Sequence, residues 1–380
     1  MIPALMARGP GQSGLAAAAY VCLFASGFSD NARGTLFPKI IETFHVSDTE
    51  CSLLVVLGGI FGLPGSLLAG HLVALRGTRS AMQIMTFLLV LGIGLVALAG
   101  VTHGWWLVPT GASVLGFGLG GLGVCSNCCL TLGTPPEHRA RALAALHVTY
   151  AVASLLVPLV ICWALGWASW WHVLAGVALV PAGLLPISLV VPDVRVDPGK
   201  KTRAPLGVVL PYAFVLSLFV VAEVSISVWL VLYANRCSSY RGEYLLAGFF
   251  VCMGVARALG GRFLASHRVQ PAIVVGALAS AAVVLLGLDL DAAFLPFEGL
   301  TVGILFPATV SALTGELLPE QHGPAIGFVS GAYSLALAGA HALVGQISDT
   351  WNLKVALHVS PICAVLGVAI FLVHGRRRNS

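Results

Sequence analysis

Two carboxylic acids stand alone in otherwise apolar stretches. Asp30 lies in GLAAAAYVCLFASGFSDNARGTLFPKI and Glu223 in GVVLPYAFVLSLFVVAEVSISVWLVLY. An acid in such surroundings must take up a proton, find a cation or collect hydrogen bonds, because burial penalises its charged form. It therefore reads as a proton-titrating or ligand-binding group. Arg33 follows Asp30 by three positions, on the same helical face, so the two can also form an ion pair. Glu223 has no cation within reach on its own segment, and Arg257 is its nearest candidate partner. Asn31, Asn127 and Arg257 are polar groups of the same kind, able to complete a site around either acid.

Other residues carry alternative chemistries. His147 titrates near physiological pH and suits a relay or gate, or a hydrogen bond across helices. Trp229 and Tyr233 follow Glu223 on the same run, where they can stack on a ligand or pack in the core. His341 reads as a satisfied polar residue, and Glu298 reads as part of an exposed vestibule with Asp289 and Asp291. Cys125, Cys128 and Cys129 share one helical face, and soft thiolates suit Cu(I) or Zn. Small residues on a glycine-rich helix also serve close packing. The run Gly116-Phe-Gly-Leu-Gly-Gly is no nucleotide loop, since no strand precedes it and no lysine follows.

These residues must be positioned by membrane-spanning helices. The chain of 380 residues is 58% hydrophobic and 9% charged, which excludes a soluble domain of ordinary composition. Apolar runs predict twelve spans, at about 14–38, 51–75, 80–101, 105–133, 141–167, 171–191, 207–235, 243–266, 271–289, 293–317, 324–347 and 354–374. The fold class is thus an all-α membrane protein, expected to comprise two six-helix bundles. Its domains are 1–191, a cytoplasmic linker 192–206, and 207–380 with a short basic tail. The opening MIPALMARGPGQSG lacks the A-x-A site of a cleaved signal.

Charge sets the expected orientation. With the N-terminus inside, cytoplasmic segments hold Arg8, Arg76, Arg79, Arg139, Arg141, Arg195, Lys200, Lys201, Arg203, Arg262, Arg268 and Arg376 to Arg378. Outer segments hold Lys39, Arg236, Arg241 and Lys354. The positive-inside rule then puts both termini in the cytoplasm, in a multi-pass plasma-membrane protein of bacterial inner-membrane type. Trp105, Trp106, Trp163, Trp167, Trp170 and Trp171 fall at the opposite interface as an aromatic belt. The halves echo each other: Asp30 and Glu223 are 193 positions apart, and Gly70 and Gly261 are 191 apart. Such an offset points to duplicated bundles that bind a ligand near the midplane and expose it to each side in turn.

The segment Gly70-His-Leu-Val-Ala-Leu-Arg76-Gly77-Thr78-Arg79 resembles the loop between spans 2 and 3 of the major facilitator superfamily, G-x-L-x-D-R-x-G-x-R. Ala74 and Leu75 replace its Asp and Arg; Gly70, Gly77 and Arg79 remain as the gating-loop residues. Four stretches resemble, more narrowly, the fucose:proton symporter family and its hexose-transporter relatives. They are Gly27-Phe-Ser-Asp30-Asn-Ala-Arg33-Gly-Thr-Leu-Phe-Pro38, Leu146-His147 with Pro158, Glu223 with Trp229 and Tyr233, and Arg257 with Leu259 and Gly260. The acid that family carries on span 4 has no counterpart in Gly121–Asn127.

The resemblance implies a secondary transporter with no cofactor and no enzymatic activity. It moves a small polar, sugar-like solute, coupled to protons, as a monomer in the lipid bilayer, without nucleic acid. Alternatives are drug or metabolite efflux, a soft-metal carrier built on the three cysteines, and a non-transporting sensor or assembly factor.

Overall fold

The computed structural model describes residues 10–135, 138–195, 204–264 and 269–379, and every element among them is helical. Of the basic residues read as cytoplasmic, Arg8, Lys200, Lys201, Arg203 and Arg268 lie outside the described residues. The first half runs α1 (Pro10–Phe44), α2 (Asp48–Arg76), α3 (Thr78–Thr102), α4 (Leu107–Leu132), α5 (Arg139–Ala164), α6 (Trp170–Ala182) and α7 (Leu184–Val190). The second runs α8 (Leu206–Cys237), α9 (Gly242–Leu264), α10 (Val269–Asp289), a 3-10 turn at Ala292–Phe297, α11 (Glu298–Val302), α12 (Leu305–Thr314), α13 (Pro319–Thr350), α14 (Leu353–Leu357) and α15 (Val359–Asn379). Eleven helical stretches among the described residues are long and apolar enough to cross a bilayer. The charged, 35-residue α1 makes the twelfth long helix. Large apolar side chains such as Leu67, Phe87, Leu179 and Phe214 are more than half exposed, as a lipid-facing surface requires.

Three spans are interrupted, each four residues before a proline. A proline ring clashes with the carbonyl of residue i−4 and offers it no N–H. Pro186 places that conflict at Ala182, where α6 ends; Pro307 places it at Gly303, between α11 and α12; Pro361 places it at Leu357, where α14 ends. Pro38, Pro64, Pro158 and Pro211 leave their helices continuous.

The chain divides into two units: Met1–Leu36 with Leu53–Gly199, and Phe37–Ser52 with Lys200–Ser380. The expected boundary at 192–206 did not anticipate that Phe37–Ser52 joins the second unit. In the first unit α3 and α4 pack through glycines. A Cβ on Gly118 would lie 2.6 Å from the Leu89 Cα, so only glycine permits this approach. Fully buried Met82, Met85, Leu89, Ile93 and Leu115 fill the space around that seam.

In the second unit α8 is the central helix, with Phe219 and Trp229 fully buried. The Phe37 ring meets Trp229 edge-on at 5.1 Å. Asp48 accepts from both Nη atoms of Arg236, at 2.6 and 2.8 Å, and from Ser348 Oγ. Asp349 accepts from the backbone N–H groups of Asp48 and Thr49 at 2.8 and 2.9 Å. It thereby caps the start of α2, where a carboxylate is favoured.

Of the expected aromatic belt, Trp106, Trp163 and Trp167 are about two-thirds exposed, whereas Trp170 is buried at 3%. Trp170 belongs to the packing of its unit, stacked edge-on against Trp171 and pressed over Gly100.

Candidate functional site

In the first unit, Asp30 is the centre of a polar cluster between α1, α2 and α5. Arg33 Nη2 pairs with Asp30 Oδ1, and Arg33 Nη1 donates to the Leu54 carbonyl at 3.1 Å. The guanidinium is buried, at 8% exposure, while the Asp30 side chain keeps 33%. The space for it exists because residue 58 is glycine: a Cβ there would collide with Arg33 Nη1. From α5, Tyr150 Oη donates to Asp30 Oδ2 at 3.0 Å. Asn31 Nδ2 donates to the Gly27 carbonyl at 2.9 Å and to Ser154 Oγ at 2.8 Å, and lies 3.4 Å from Tyr150 Oη. Gly27 makes room for the Tyr150 ring, whose Cδ2 would lie 2.9 Å from an added Cβ. A one-third exposed acid with a fixed cation on one oxygen and a phenol on the other can bind a hydroxylated ligand.

Tyr150 and Ser154 were not among the residues singled out. Their signal is the i, i+4 pair of polar residues on the apolar face of α5, three positions beyond His147.

In the second unit, Glu223 on α8 and Arg257 on α9 form the pair across helices that the sequence suggested, at 3.5 Å with each side chain 17% exposed. Trp229 is fully buried, its Nε1 donating to His341 Nδ1 at 3.1 Å. Tyr233 Oη donates to the Leu288 carbonyl at 3.3 Å. Glu298 does not line an exposed vestibule: its exposure is 0%. The 3-10 turn before it carries the chain inward, so α11 starts among α10 and α15 rather than at a surface.

Asn127 lies on an exposed face of α4 and donates to its own helix, at the Gly123 carbonyl, 2.9 Å. His147 is exposed on α5. Cys125 and Cys129 are buried where α4 meets its neighbours, and Cys128 is half-buried. Among the described residues no three His, Cys, Asp or Glu side chains converge on a metal position.

The gating loop is anchored within the first unit. Gly77 adopts φ +91°, and the Asp193 carboxylate lies where its Cβ would be. The Arg79 N–H donates to Asp193 Oδ1 at 3.1 Å. Its guanidinium donates to the Val191 carbonyl at 3.1 and 2.9 Å. Thr78 Oγ1 donates to the Pro192 carbonyl at 3.0 Å. The acid missing at Ala74 is thus replaced by one that follows the sixth span.

Helical spans interrupted at prolines, with a charged pair in each of two units, define a polytopic membrane protein. The chain belongs to the Major Facilitator Superfamily, whose family model matches residues 19–335. Its fold is similar to that of a D-xylose-proton symporter, with TM-score 0.80 and 12% identity, covering 94% of this chain and 96% of that one. It also resembles the E. coli fucose:proton symporter (TM-score 0.64, 15% identity, 93% and 97% covered). A third similar structure is a bacterial homolog of the human lysosomal transporter Spinster (TM-score 0.73, 13% identity, 97% of each). At these identities the likeness is one of fold. A curated relative, Bypass of stop codon protein 6 of Saccharomyces cerevisiae, is 24% identical over 144 residues. That match spans 38% of this chain and 28% of the relative's length.

Proposed function

We propose that this chain is a secondary active transporter that moves a small polar, sugar-like solute by alternating access, coupled to protons. Asp30 and Glu223 are the groups that titrate or bind, with Arg33, Asn31 and Arg257 as their polar partners. The protein sits in the plasma membrane, of bacterial inner-membrane type, with both termini cytoplasmic. The observation that carries this reading is the Asp30 cluster. A one-third exposed acid, set between a buried Arg33 and the Tyr150 hydroxyl, is held on both oxygens yet reachable by ligand. The D-xylose and fucose symporters of similar fold support a sugar-like solute and a proton as the coupled pair. Span 4 offers no acid between Gly121 and Asn127, so Asp30 and Glu223 are the acids this reading assigns to the solute pathway.

The test uses purified protein in liposomes with a trapped pH dye and a panel of sugars, organic acids, drugs and Cu(I). Solute addition should acidify or alkalinise the lumen for one class of solute. Asp30→Asn and Glu223→Gln should each abolish the pH change while leaving downhill exchange of labelled solute measurable. Solute flux with no proton movement would sink the coupling. No flux of any solute would sink the transporter.

A further inference from the structure

The tenth span, Ala292–Thr314, is broken at Gly303 and carries one acid beside the break, Glu298. Glu298 is fully buried. Its Oε1 lies 3.4 Å from Ser280 Oγ on α10 and 3.2 Å from Ser360 Oγ on α15, and both serines are themselves fully buried. Its Oε2, equally buried, has no hydrogen-bond partner among the described residues. The nearest described cations are paired with other acids. Arg257 pairs with Glu223 at 3.5 Å, Lys354 with Asp289 at 3.0 Å, and His358 Nε2 lies 4.0 Å from Asp289. The ionisable neighbour on α8 is Glu223, another acid.

A carboxylate enclosed without a counter-charge costs far more than a protein tolerates. One positive charge, a proton or a small metal ion, would meet that cost, and Oε2 is the oxygen left to receive it. Broken spans are where transporters supply backbone groups to a coupling ion, and here the acid opens the short helix α11 that ends at the break, with the two hydroxyls on its Oε1.

We propose that Glu298, Ser280 and Ser360 form the seat of one small cation, sodium or a proton, enclosed in the second unit. It is distinct from the Asp30 cluster and from the Glu223–Arg257 pair. Its use in transport rests on the function proposed above; its occupancy does not.

The test uses the purified full-length protein in nanodiscs without solute. Melting temperature is measured in sodium chloride against choline chloride at equal ionic strength. Infrared spectra in H2O and D2O report any protonated carboxyl. If sodium is the occupant, wild type melts several degrees higher in sodium. That shift disappears in Glu298→Gln, and its midpoint rises at least tenfold in Ser360→Ala.

If the proton is the occupant, sodium has no effect. A carboxyl band that exchanges in D2O is then present in wild type, absent in Glu298→Gln and shifted in Ser360→Ala. Neither response, or a Glu298 band that never exchanges, makes the acid a locked structural group and overturns the proposal. Should Glu298→Gln fail to fold, Ser280→Ala and Ser360→Ala keep the acid and carry the same readouts. Solute flux is measured separately. A cation response without flux leaves the seat standing and removes the transporter reading; flux without a cation response does the reverse.

Discussion

Asp30 and Arg33 were legible because intramembrane charge is rare and i, i+3 spacing fixes a shared face. The other half of their environment comes from α5, 120 residues away, and no local pattern announces it. The same limit explains Glu298. Its place at the start of an apolar run suggested exposure, and only the folded 3-10 turn shows it enclosed. Tyr150 offers the sharpest test at this scale. Tyr150→Phe removes one O–H from Asp30 and keeps the ring that Gly27 accommodates. A hydrogen bond of this kind contributes ~0.5–1.5 kcal/mol. Solute KM should therefore rise about two- to tenfold, with the melting temperature nearly unchanged. An unaltered KM and pH profile would show that the phenol does not act through Asp30.

At the scale of elements, the twelve helices followed from apolar run length, but their interruptions did not. Prolines stand both inside long spans and at their breaks, and the same residue type leaves α2 and α5 continuous while breaking the tenth span. The difference lies in the neighbours available to satisfy a freed carbonyl, which is tertiary information. The loop between α2 and α3 shows a second limit. Its altered motif lacks the acid at Ala74, and the carboxylate against this loop comes instead from Asp193, far along the chain. Gly77 is the residue that makes this possible, since its φ of +91° and the nearby Asp193 leave no room for a Cβ. Gly77→Ala is expected to cost ~1–3 kcal/mol, since φ +91° with ψ 171° is a backbone region that essentially only glycine adopts. It should also displace the Asp193 carboxylate from the Arg79 N–H. A melting temperature lowered by several degrees, with transport slowed, is the predicted outcome. A variant with wild-type melting and flux would show that the loop is not held there.

For the molecule as a whole, internal offsets suggested two halves divided at one linker. The chain in fact changes unit at two further points, Leu36–Phe37 and Ser52–Leu53. The reason is local chemistry that a repeat cannot encode: Arg236, Ser348 and Asp349 gather the start of α2, and Trp229 receives Phe37. This has a mechanical consequence for alternating access. Phe37–Ser52 is covalently continuous at both ends with helices of the first unit, yet packed in the second. If the units rock against each other, either the segment parts from the second unit or the chain bends at its two ends. Its contacts with the second unit join a buried one, Phe37 edge-on to the fully buried Trp229, to the Asp48–Arg236 pair, whose Arg236 side chain is 40% exposed. The buried contact favours bending at Leu36 and Leu53. Gly345 and Thr49 mark the contact, since a Cβ on Gly345 would lie 2.8 Å from the Thr49 Cα. Gly345→Ala should therefore force the start of α2 off α13 and lower the melting temperature by several degrees, with solute flux reduced. Wild-type melting and flux would show that the segment is not held at this contact.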